Sequence, residues 1–110
     1  MNVVVKARHM ETTESIRQYV QAKVAKLPRF YDNITSVEVT LEIEADLPAV
    51  EIVVQAKRRN TFVATHRDKD MYACVDQCLH KITEQLRRHK DKVRDRQAPP
   101  HSEAAALDES

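Results

Sequence analysis

The sequence predicts an α+β domain in which a four-stranded sheet carries two helices on one face, a two-layer sandwich in the order β-α-β-β-β-α. Two segments have apolar residues at three- and four-residue steps, as a helix with one buried stripe requires. Four segments are rich in β-branched residues or alternate apolar with polar residues, as half-buried strands do. The chain of 110 residues is 42% apolar, which suffices for one modest core and therefore for a single domain.

The chain is predicted to begin with a strand and an amphipathic helix. Residues 2–8 are rich in β-branched side chains, and residues 14–27 carry apolar side chains at helical spacing. Thr12 or Thr13 can cap the start of the helix, because a threonine hydroxyl accepts a hydrogen bond from a free backbone N–H of the first turn. Pro28 ends the helix, since the residue before a proline is displaced from the α region.

Three strands are predicted to follow, over residues 34–45, 50–57 and 61–65. In the first of them apolar and polar residues alternate strictly, so that one side faces the core and the other faces solvent. Asn60, in the turn before the last strand, is expected to adopt a positive φ. The outer side of the sheet is predicted to be acidic. It carries the glutamates Glu38, Glu42, Glu44 and Glu51.

The longest helical pattern covers residues 70–96 and begins at an aspartate cap, Asp68 or Asp70. Its apolar stripe consists of Met71, Val75, Cys78, Leu79, Ile82, Leu86 and Val93. At about 100° per residue, basic side chains fall along both flanks of this stripe. One flank carries Lys81, Arg88 and Lys92, and the other carries Arg87, Lys90 and Arg94. Burial of the stripe would therefore hold two rows of cations at fixed positions.

Charge is distributed unevenly along a chain whose formal net charge is only +1. Residues 57–96 hold 12 Lys/Arg against 6 Asp/Glu, a balance of +6. Residues 97–110 hold 3 Asp/Glu and no Lys/Arg, with two prolines and too little apolar content to pack. The sequence thus predicts one folded domain over residues 1–96 and a disordered acidic tail over residues 97–110.

Several function classes are disfavoured by what the sequence lacks. The chain has no glycine, and phosphate-binding loops of the P-loop and dinucleotide types need glycine for the close approach of the backbone. No Ser, Cys or carboxylate stands at a spacing from a histidine that indicates a catalytic triad. We therefore expect no catalytic residues, no small-molecule substrate and no cofactor.

The two cysteines, Cys74 and Cys78, are one helical turn apart. With His80 or His66 they could ligate zinc, but they lack the short Cys-x2-Cys spacing and the second ligand pair of structural zinc sites. Their position in the apolar stripe favours buried thiols and no bound metal. Free thiols, no secretory signal and no apolar run long enough to span a bilayer favour the cytoplasm and no membrane partner.

Motif residues in both helices carry a family resemblance. In the long helix they are Asp70, Met71, Tyr72, Ala73, Val75, Asp76, Lys81, Gln85, Leu86 and residues 88–92. In and after the first helix they are Ile16, Arg17, Tyr19, Val20, Ala22, Lys23 and residues 25–27 and 30–32. Together they resemble the ribosome hibernation promoting factor / protein Y family, and the resemblance covers residues 1–94.

Members of this family bind the small ribosomal subunit in the channel of messenger and transfer RNA, and they block translation while ribosomes are stored. The resemblance implies a non-enzymatic hibernation factor of the stress response and stationary phase. Its implied partners are the small subunit and its ribosomal RNA, and the protein is expected to be monomeric off the ribosome. The chain resembles the short members, which lack a second domain that pairs ribosomes. The family often has glycines in the turn where this chain has Arg59 and Asn60.

The expected RNA-binding residues are Lys23, Lys26, Tyr72, Lys81, Arg87, Arg88, Lys90, Lys92 and Arg94. For Tyr72, packing against the edge of the sheet is an alternative to RNA contact. For Lys23, the alternative is a structural side chain whose amine reaches the edge of the apolar side. His89 falls on the apolar stripe and is expected to be partly buried.

Two other functions are compatible with these patterns. A free-standing double-stranded RNA-binding module also packs two helices on one sheet face. Its lysines usually cluster at the start of the last helix, where this chain has Asp68 and Asp70. A small metal-dependent hydrolase would use Cys74, Cys78 and nearby histidines.

Overall fold

The strands and helices follow the predicted order β-α-β-β-β-α. The computed structural model describes residues 1–96, the last three by their backbone alone. The strands are β1 (Asn2–Arg8), β2 (Ile34–Glu44), β3 (Leu47–Ala56) and β4 (Asn60–Arg67), and the helices are α1 (Glu14–Val24) and α2 (Met71–Arg96). A short 3-10 turn lies at Leu27–Arg29, and Lys57–Arg59 forms the tight turn between β3 and β4. The predicted tail over residues 97–110 lies outside the described residues.

The four strands form one mixed sheet in the order β1-β2-β3-β4. β1 pairs with β2 in parallel, because α1 crosses over between them and returns the chain to the same end of the sheet. β2 and β3, and then β3 and β4, pair antiparallel as successive hairpins. α2 packs on β3 and β4, and α1 packs on β1 and α2. The predicted two-layer α+β fold is confirmed.

The core lies between the two layers, where inward strand side chains meet the apolar stripes of the helices. Its fully buried members include Val39 and Leu41 on β2, Ile52 on β3, and Ile82 and Leu86 on α2. Among residues 1–93, no polar or charged residue is buried. Each buried aliphatic side chain contributes about 1.5–3 kcal/mol relative to exposure. Packing across this interface is therefore the main source of stability.

Both helix starts are capped by side chains, and the structure decides between the predicted alternatives. The Thr13 hydroxyl accepts a hydrogen bond from the Ile16 backbone N–H at 3.2 Å, so Thr13 caps α1. The Asp70 carboxylate accepts hydrogen bonds from the N–H groups of Tyr72 and Ala73 at 3.4 and 3.3 Å, so Asp70 caps α2. These bonds satisfy donors that the first turn of a helix leaves free.

α1 ends at Val24, earlier than the predicted residue 27. Leu27–Arg29 forms a 3-10 turn of its own, with Pro28 near its start. A proline suits that position, because its φ is already helical and its missing N–H needs no partner there. Leu27 is nevertheless buried in the core. The apolar periodicity therefore continues past the point where the helix stops.

Between β3 and β4 the chain reverses direction at two arginines. The expectation of a positive φ at Asn60 is wrong, since its φ is −79°, whereas Arg58 and Arg59 have φ values of 64° and 62°. The cause is strand register. Asn60 already pairs with Ala56 as the first residue of β4, so its backbone must be extended. Its side-chain amide instead donates to the Lys57 carbonyl at 3.0 Å.

The outer face of the sheet carries basic as well as acidic side chains. Strand alternation places Lys6, Arg8 and Arg67 on this face together with the predicted glutamates. Lys6 Nζ lies 3.1 Å from the Glu38 carboxylate, and the Arg67 guanidinium lies 3.8 Å from that of Glu44. The face is mixed rather than acidic, which corrects the prediction. β1 and β4 contribute cations that the alternation within β2 does not reveal.

Polar side chains of α2 bind the backbone of the edge strand β4. Lys81 Nζ donates to the Thr65 carbonyl at 2.8 Å, and Gln85 Nε2 donates to the Val63 carbonyl at 2.9 Å. An edge strand presents unpaired backbone groups that can recruit another strand. These two hydrogen bonds cover part of that edge and tie the helix to it.

Both cysteines lie on the buried side of α2, which confirms the expectation of core thiols. Cys74 Sγ lies 2.9 Å from the His66 carbonyl oxygen, and Cys78 Sγ lies 3.3 Å from that of Ala64. Burial raises the pKa of the Cys78 thiol to about 12. The thiol is therefore protonated near neutral pH and acts as a small apolar group with a weak donor.

Replacing this core thiol tests its role. Cys78→Ala should lower the free energy of unfolding by about 1 kcal/mol, because it removes a small buried group and leaves a small void. Urea denaturation measures the change. Cys78→Ser is the companion variant, since it keeps a donor for the Ala64 carbonyl while reducing apolar volume. A loss of stoichiometric metal in either variant would contradict the assignment.

Candidate nucleic-acid interface

α2 changes along its length from a buried to an exposed, basic helix. Its 26 residues span roughly 39 Å at about 1.5 Å per residue. The apolar stripe is fully buried at Leu86, whereas Val93 is only partly buried. The exposed cations that follow Leu86 are Arg87, Arg88, Lys90 and Lys92. This half of the helix therefore presents its charge to solvent.

Three of the expected RNA-binding residues meet in one groove between α1 and α2, the interhelical groove. Its cavity volume is ≈ 440 Å³, and Lys23, Lys26 and Arg87 line it. Asp76 and Glu84 line it as well. The groove therefore combines cations from both helices with two carboxylates.

Contacts within α2 and with the segment after α1 hold the two arginines of the basic half. The Arg87 guanidinium lies 3.3 Å from the Glu84 carboxylate and 5.7 Å from the centre of the Phe30 ring. Arg88 Nε donates to the Glu84 backbone carbonyl at 3.3 Å. Such exposed contacts contribute little to stability, but they favour particular orientations of the guanidinium groups.

Lys90 and Lys92 are exposed on the same half of α2. Among the salt bridges that join side chains of residues 1–93, none involves either lysine. The side chain of Arg94 lies outside the described residues, so its expected role stays a prediction.

Lys81 lies apart from the interhelical groove. Its amine binds the Thr65 carbonyl of β4, on the opposite flank of α2. An ammonium has three N–H donors, so this bond leaves two available. The observed contact is a structural one, and RNA contact by Lys81 stays a prediction.

Four side chains join α1 to α2 in one polar cluster. The Tyr19 hydroxyl donates to the Asp76 carboxylate and lies 2.6 and 2.8 Å from its two oxygens. Lys23 Nζ lies 5.3 Å from the centre of the Tyr19 ring and 4.0 Å from Asp76 Oδ1. The Tyr72 ring meets the Tyr19 ring edge to face at 4.9 Å. Tyr72 thus packs on α1 rather than on the edge of the sheet, and it remains 39% exposed.

Sequence reasoning missed two parts of this surface. Tyr19 and Asp76 are 57 residues apart, so no local pattern indicates that they meet. The basic turn Lys57–Arg59 is a plain run of cations in the sequence, but only the fold shows that it lies beside α2, where Lys57 and His89 line a common groove. His89 is partly buried, as predicted.

Within residues 1–93, no group of three or more His, Cys, Asp or Glu side chains is placed to hold a metal ion. None of the helices in residues 1–96 combines the length and the apolar character needed to cross a bilayer.

The contact between the helices predicts one tyrosine with an unusually high pKa. Hydrogen bonding to Asp76, followed by burial, raises the pKa of Tyr19 from 10.0 to about 12. The folded state therefore holds this proton more tightly than the unfolded state does. The stabilisation is present below the ordinary pKa of 10.0 and is lost as the pH rises toward about 12. Asp76→Asn should return the pKa of Tyr19 toward its ordinary value.

An absorbance titration of tyrosinate measures this pKa in the folded protein. Tyr19→Phe identifies the transition, because the late step disappears in that variant. Tyr72→Phe is the matched control and should retain it. A late step that persists unchanged in Asp76→Asn would contradict the assignment.

Relatives of this chain match it over nearly all of its described length. The family model for sigma 54 modulation protein / S30EA ribosomal protein matches residues 3–94. The ribosome hibernation promoting factor of Pseudomonas putida KT2440 is 35% identical over 92 residues, 84% of this chain and 89% of that protein. The factor of the same name from Escherichia coli K12 is 32% identical over 94 residues, 86% of this chain and 98% of that protein.

Two solved structures have the same architecture. The N-terminal domain of Thermus thermophilus protein Y aligns with a TM-score of 0.73 at 28% identity, over 81% of this chain and 99% of that domain. A ribosomal subunit interface protein from Coxiella burnetii aligns with a TM-score of 0.77 at 22% identity, over 83% of this chain and 99% of that one. The latter likeness concerns the fold alone. With the family model and these relatives in agreement, the chain belongs to the sigma 54 modulation protein / S30EA ribosomal protein family.

Proposed function

We propose that this protein is a ribosome hibernation factor. It binds the small ribosomal subunit through α1 and α2, in the channel of messenger and transfer RNA, inhibits translation and stabilises idle ribosomes. The observation that carries the proposal is the exposed basic half of α2 beside a groove that presents Lys23 and Lys26. Relatives named ribosome hibernation promoting factors, at 32–35% identity over most of the chain, support it.

The physical basis of binding is the neutralisation of RNA phosphates. Lysine and arginine side chains that contact phosphates release condensed counterions, which makes the affinity strongly salt-dependent. Folded ribosomal RNA is recognised largely through its shape and backbone. Cations held by two helices on a rigid sheet suit such a target, because their spacing is fixed before binding occurs.

The proposed protein is a non-enzymatic factor of the cytoplasm whose partner is ribosomal RNA, and it is monomeric off the ribosome. Its role belongs to the stress response and stationary phase. The names of the relatives describe factors that promote ribosome hibernation rather than catalysts.

Binding of free RNA duplexes is the competing function. The start of α2 argues against it, because that end is capped by Asp70 and preceded by Asp68, where a duplex-binding module would gather lysines. Co-sedimentation with whole ribosomes, isolated subunits and naked duplex RNA distinguishes the two. The proposal requires pelleting with the small subunit, and binding to duplex RNA alone would favour the alternative. A metal assay on the same sample tests the second alternative, a metal-dependent hydrolase, which requires bound metal.

Charge removal on α2 tests the interface directly. Arg88→Gln with Lys92→Gln should weaken binding to the small subunit and lower the salt slope by roughly 1 to 2 units, one for each phosphate that is no longer neutralised. The free energy of unfolding should be nearly unchanged, since exposed cations contribute little to stability. Co-sedimentation across a salt series measures the slope.

The matched control removes one lysine and one arginine from the outer face of the sheet. Lys6→Gln with Arg8→Gln makes the same change in net charge on the opposite side of the domain. It should leave the salt slope as it is in the unmodified chain. Equal slopes for the two double variants would mean that net charge, rather than the helical face, governs binding.

The acidic segment after the domain generates a separate prediction. Residues 97–110 hold 3 Asp/Glu and no Lys/Arg, so they should oppose association with RNA slightly by like-charge repulsion. A chain that ends after Gln97 should keep the folded domain and bind the small subunit at least as well. Density-gradient centrifugation of ribosomes shows whether pairing rises without the tail. A truncated chain that no longer folds or binds would make the tail part of the domain.

A further inference from the structure

The β3–β4 turn adds a third set of cations to the domain. Lys57, Arg58 and Arg59 are consecutive and all exposed. Among the salt bridges between side chains of residues 1–93, none involves any of the three. Lys57 and Arg58 line a groove with His89 and Val93 of α2. The turn therefore lies beside the exposed basic half of that helix.

Two of these cations occupy backbone positions that favour other residues. Arg58 and Arg59 both have left-handed backbone, with φ values of 64° and 62°. A side chain with a Cβ is disfavoured in this region, and glycine or asparagine adopts it more readily. The turn would form more easily with glycine or asparagine at these positions, so local backbone preference does not account for the arginines. Ala45 and Asp46, in the β2–β3 turn, also have left-handed backbone, so it is the exposed charge at Arg58 and Arg59 that sets this turn apart.

The groove between this turn and α2, which we call the turn groove, has a cavity volume of ≈ 500 Å³. None of the described side chains that line it is a carboxylate. The interhelical groove, in contrast, includes Asp76 and Glu84. The groove on the sheet side that Lys81 lines includes Glu42. The turn groove thus differs from both in presenting positive charge without a nearby acid in its wall.

The turn groove is also lined by neutral polar side chains, those of Tyr31, Asn33, Asn60 and His89. The Asn33 side-chain amide donates to the Tyr31 hydroxyl at 3.4 Å, which leaves the hydroxyl proton for another acceptor. His89 lies edge to face against the rings of Tyr31 and Phe62, at 5.1 and 5.2 Å. Its Nε2 atom is buried and has no hydrogen-bond partner among residues 1–93. The Tyr31 hydroxyl can therefore donate to an anionic acceptor in the groove.

We propose that the turn groove is a second phosphate-binding site for RNA, in which Lys57 and Arg58 neutralise a backbone phosphate and Arg59 neutralises its neighbour. The proposal rests on the proposed function, since it requires that α2 lie against RNA. Phosphate oxygens accept hydrogen bonds and charge-assisted contacts from lysine and arginine. With this site, the bound RNA contacts the end of the sheet as well as the helical face.

Glycine is well suited to the left-handed backbone of this turn, so it can replace both arginines without disturbing the fold. Arg58→Gly with Arg59→Gly removes two cations and relieves the left-handed strain, so the variant should fold with an equal or higher Tm. Its salt slope for the small subunit should fall by about 1 to 2 units, with binding weakened roughly 10-fold at ~0.1 M salt for each phosphate left without a cation. Arg58→Lys with Arg59→Lys keeps the charge and should keep most of the slope.

The α2 variant, Arg88→Gln with Lys92→Gln, separates this inference from the proposed function. If the α2 variant loses slope and the glycine variant does not, the second site is wrong and the proposed function stands. If neither loses slope, both are wrong. The Lys6→Gln, Arg8→Gln control excludes a general effect of net charge.

The source of the phosphate is tested on the full chain by NMR. The imidazole signals of His89 should shift on titration with a short RNA oligonucleotide. They should shift far less with inorganic phosphate, because free phosphate lacks the neighbouring contacts at Arg59 and α2. A signal that responds to inorganic phosphate and not to RNA would overturn the assignment to RNA, and so would a signal that responds to neither.

Discussion

The burial of the apolar stripe of α2 against β3 and β4 is the constraint on which the rest of the structure depends. Val75, Cys78, Ile82 and Leu86 are fully buried there, and together they contribute several kcal/mol. Rotating the helix by one residue would turn its face by about 100° and carry a cation toward the core, at a cost of several kcal/mol for an unpaired charge. The apolar stripe therefore fixes the direction of every basic side chain on this helix. The basic side chains of α2 have defined positions because the buried apolar side chains of the same helix do.

Polar contacts then determine which cations remain available at the surface. Lys81 shares the helix with Arg88 and Lys92, yet its amine is bound to the backbone of β4. Gln85 makes the same kind of contact one turn later. Both side chains lie where α2 runs along the open edge of the sheet, and their hydrogen bonds cover carbonyl groups that another strand could otherwise pair with. A basic residue on α2 is thus not by itself evidence of an RNA contact, because the fold uses Lys81 for its own edge.

Features that depend on near neighbours in sequence could be predicted, and features that depend on distant pairing could not. The order of elements, the capped helix starts and the buried thiols follow from periodicity and capping chemistry within a few residues. The turn at Arg58 and Arg59 does not, because its position is set by the pairing of Asn60 with Ala56 across two strands. The mixed outer face depends in the same way on β1 and β4 lying beside the central strands. Tyr19 and Asp76 meet only because both helices pack on one face of the sheet.

The acids within the basic surface divide it into two parts that differ in how their cations are paired. Asp76 holds Tyr19 and lies near Lys23, and Glu84 pairs with Arg87. These carboxylates reduce the net charge of the interhelical groove, so they weaken its long-range attraction for a polyanion. In exchange they restrict the side chains they contact, and in the proposed RNA complex those side chains would lose less conformational entropy on binding. Lys90 and Lys92 are exposed further along α2 and take part in none of the salt bridges that join side chains of residues 1–93, so no carboxylate in those salt bridges offsets their charge. The first part suits recognition of a fixed shape, and the second suits electrostatic attraction at a distance. A folded RNA target needs both, because attraction alone does not select one site among many phosphates.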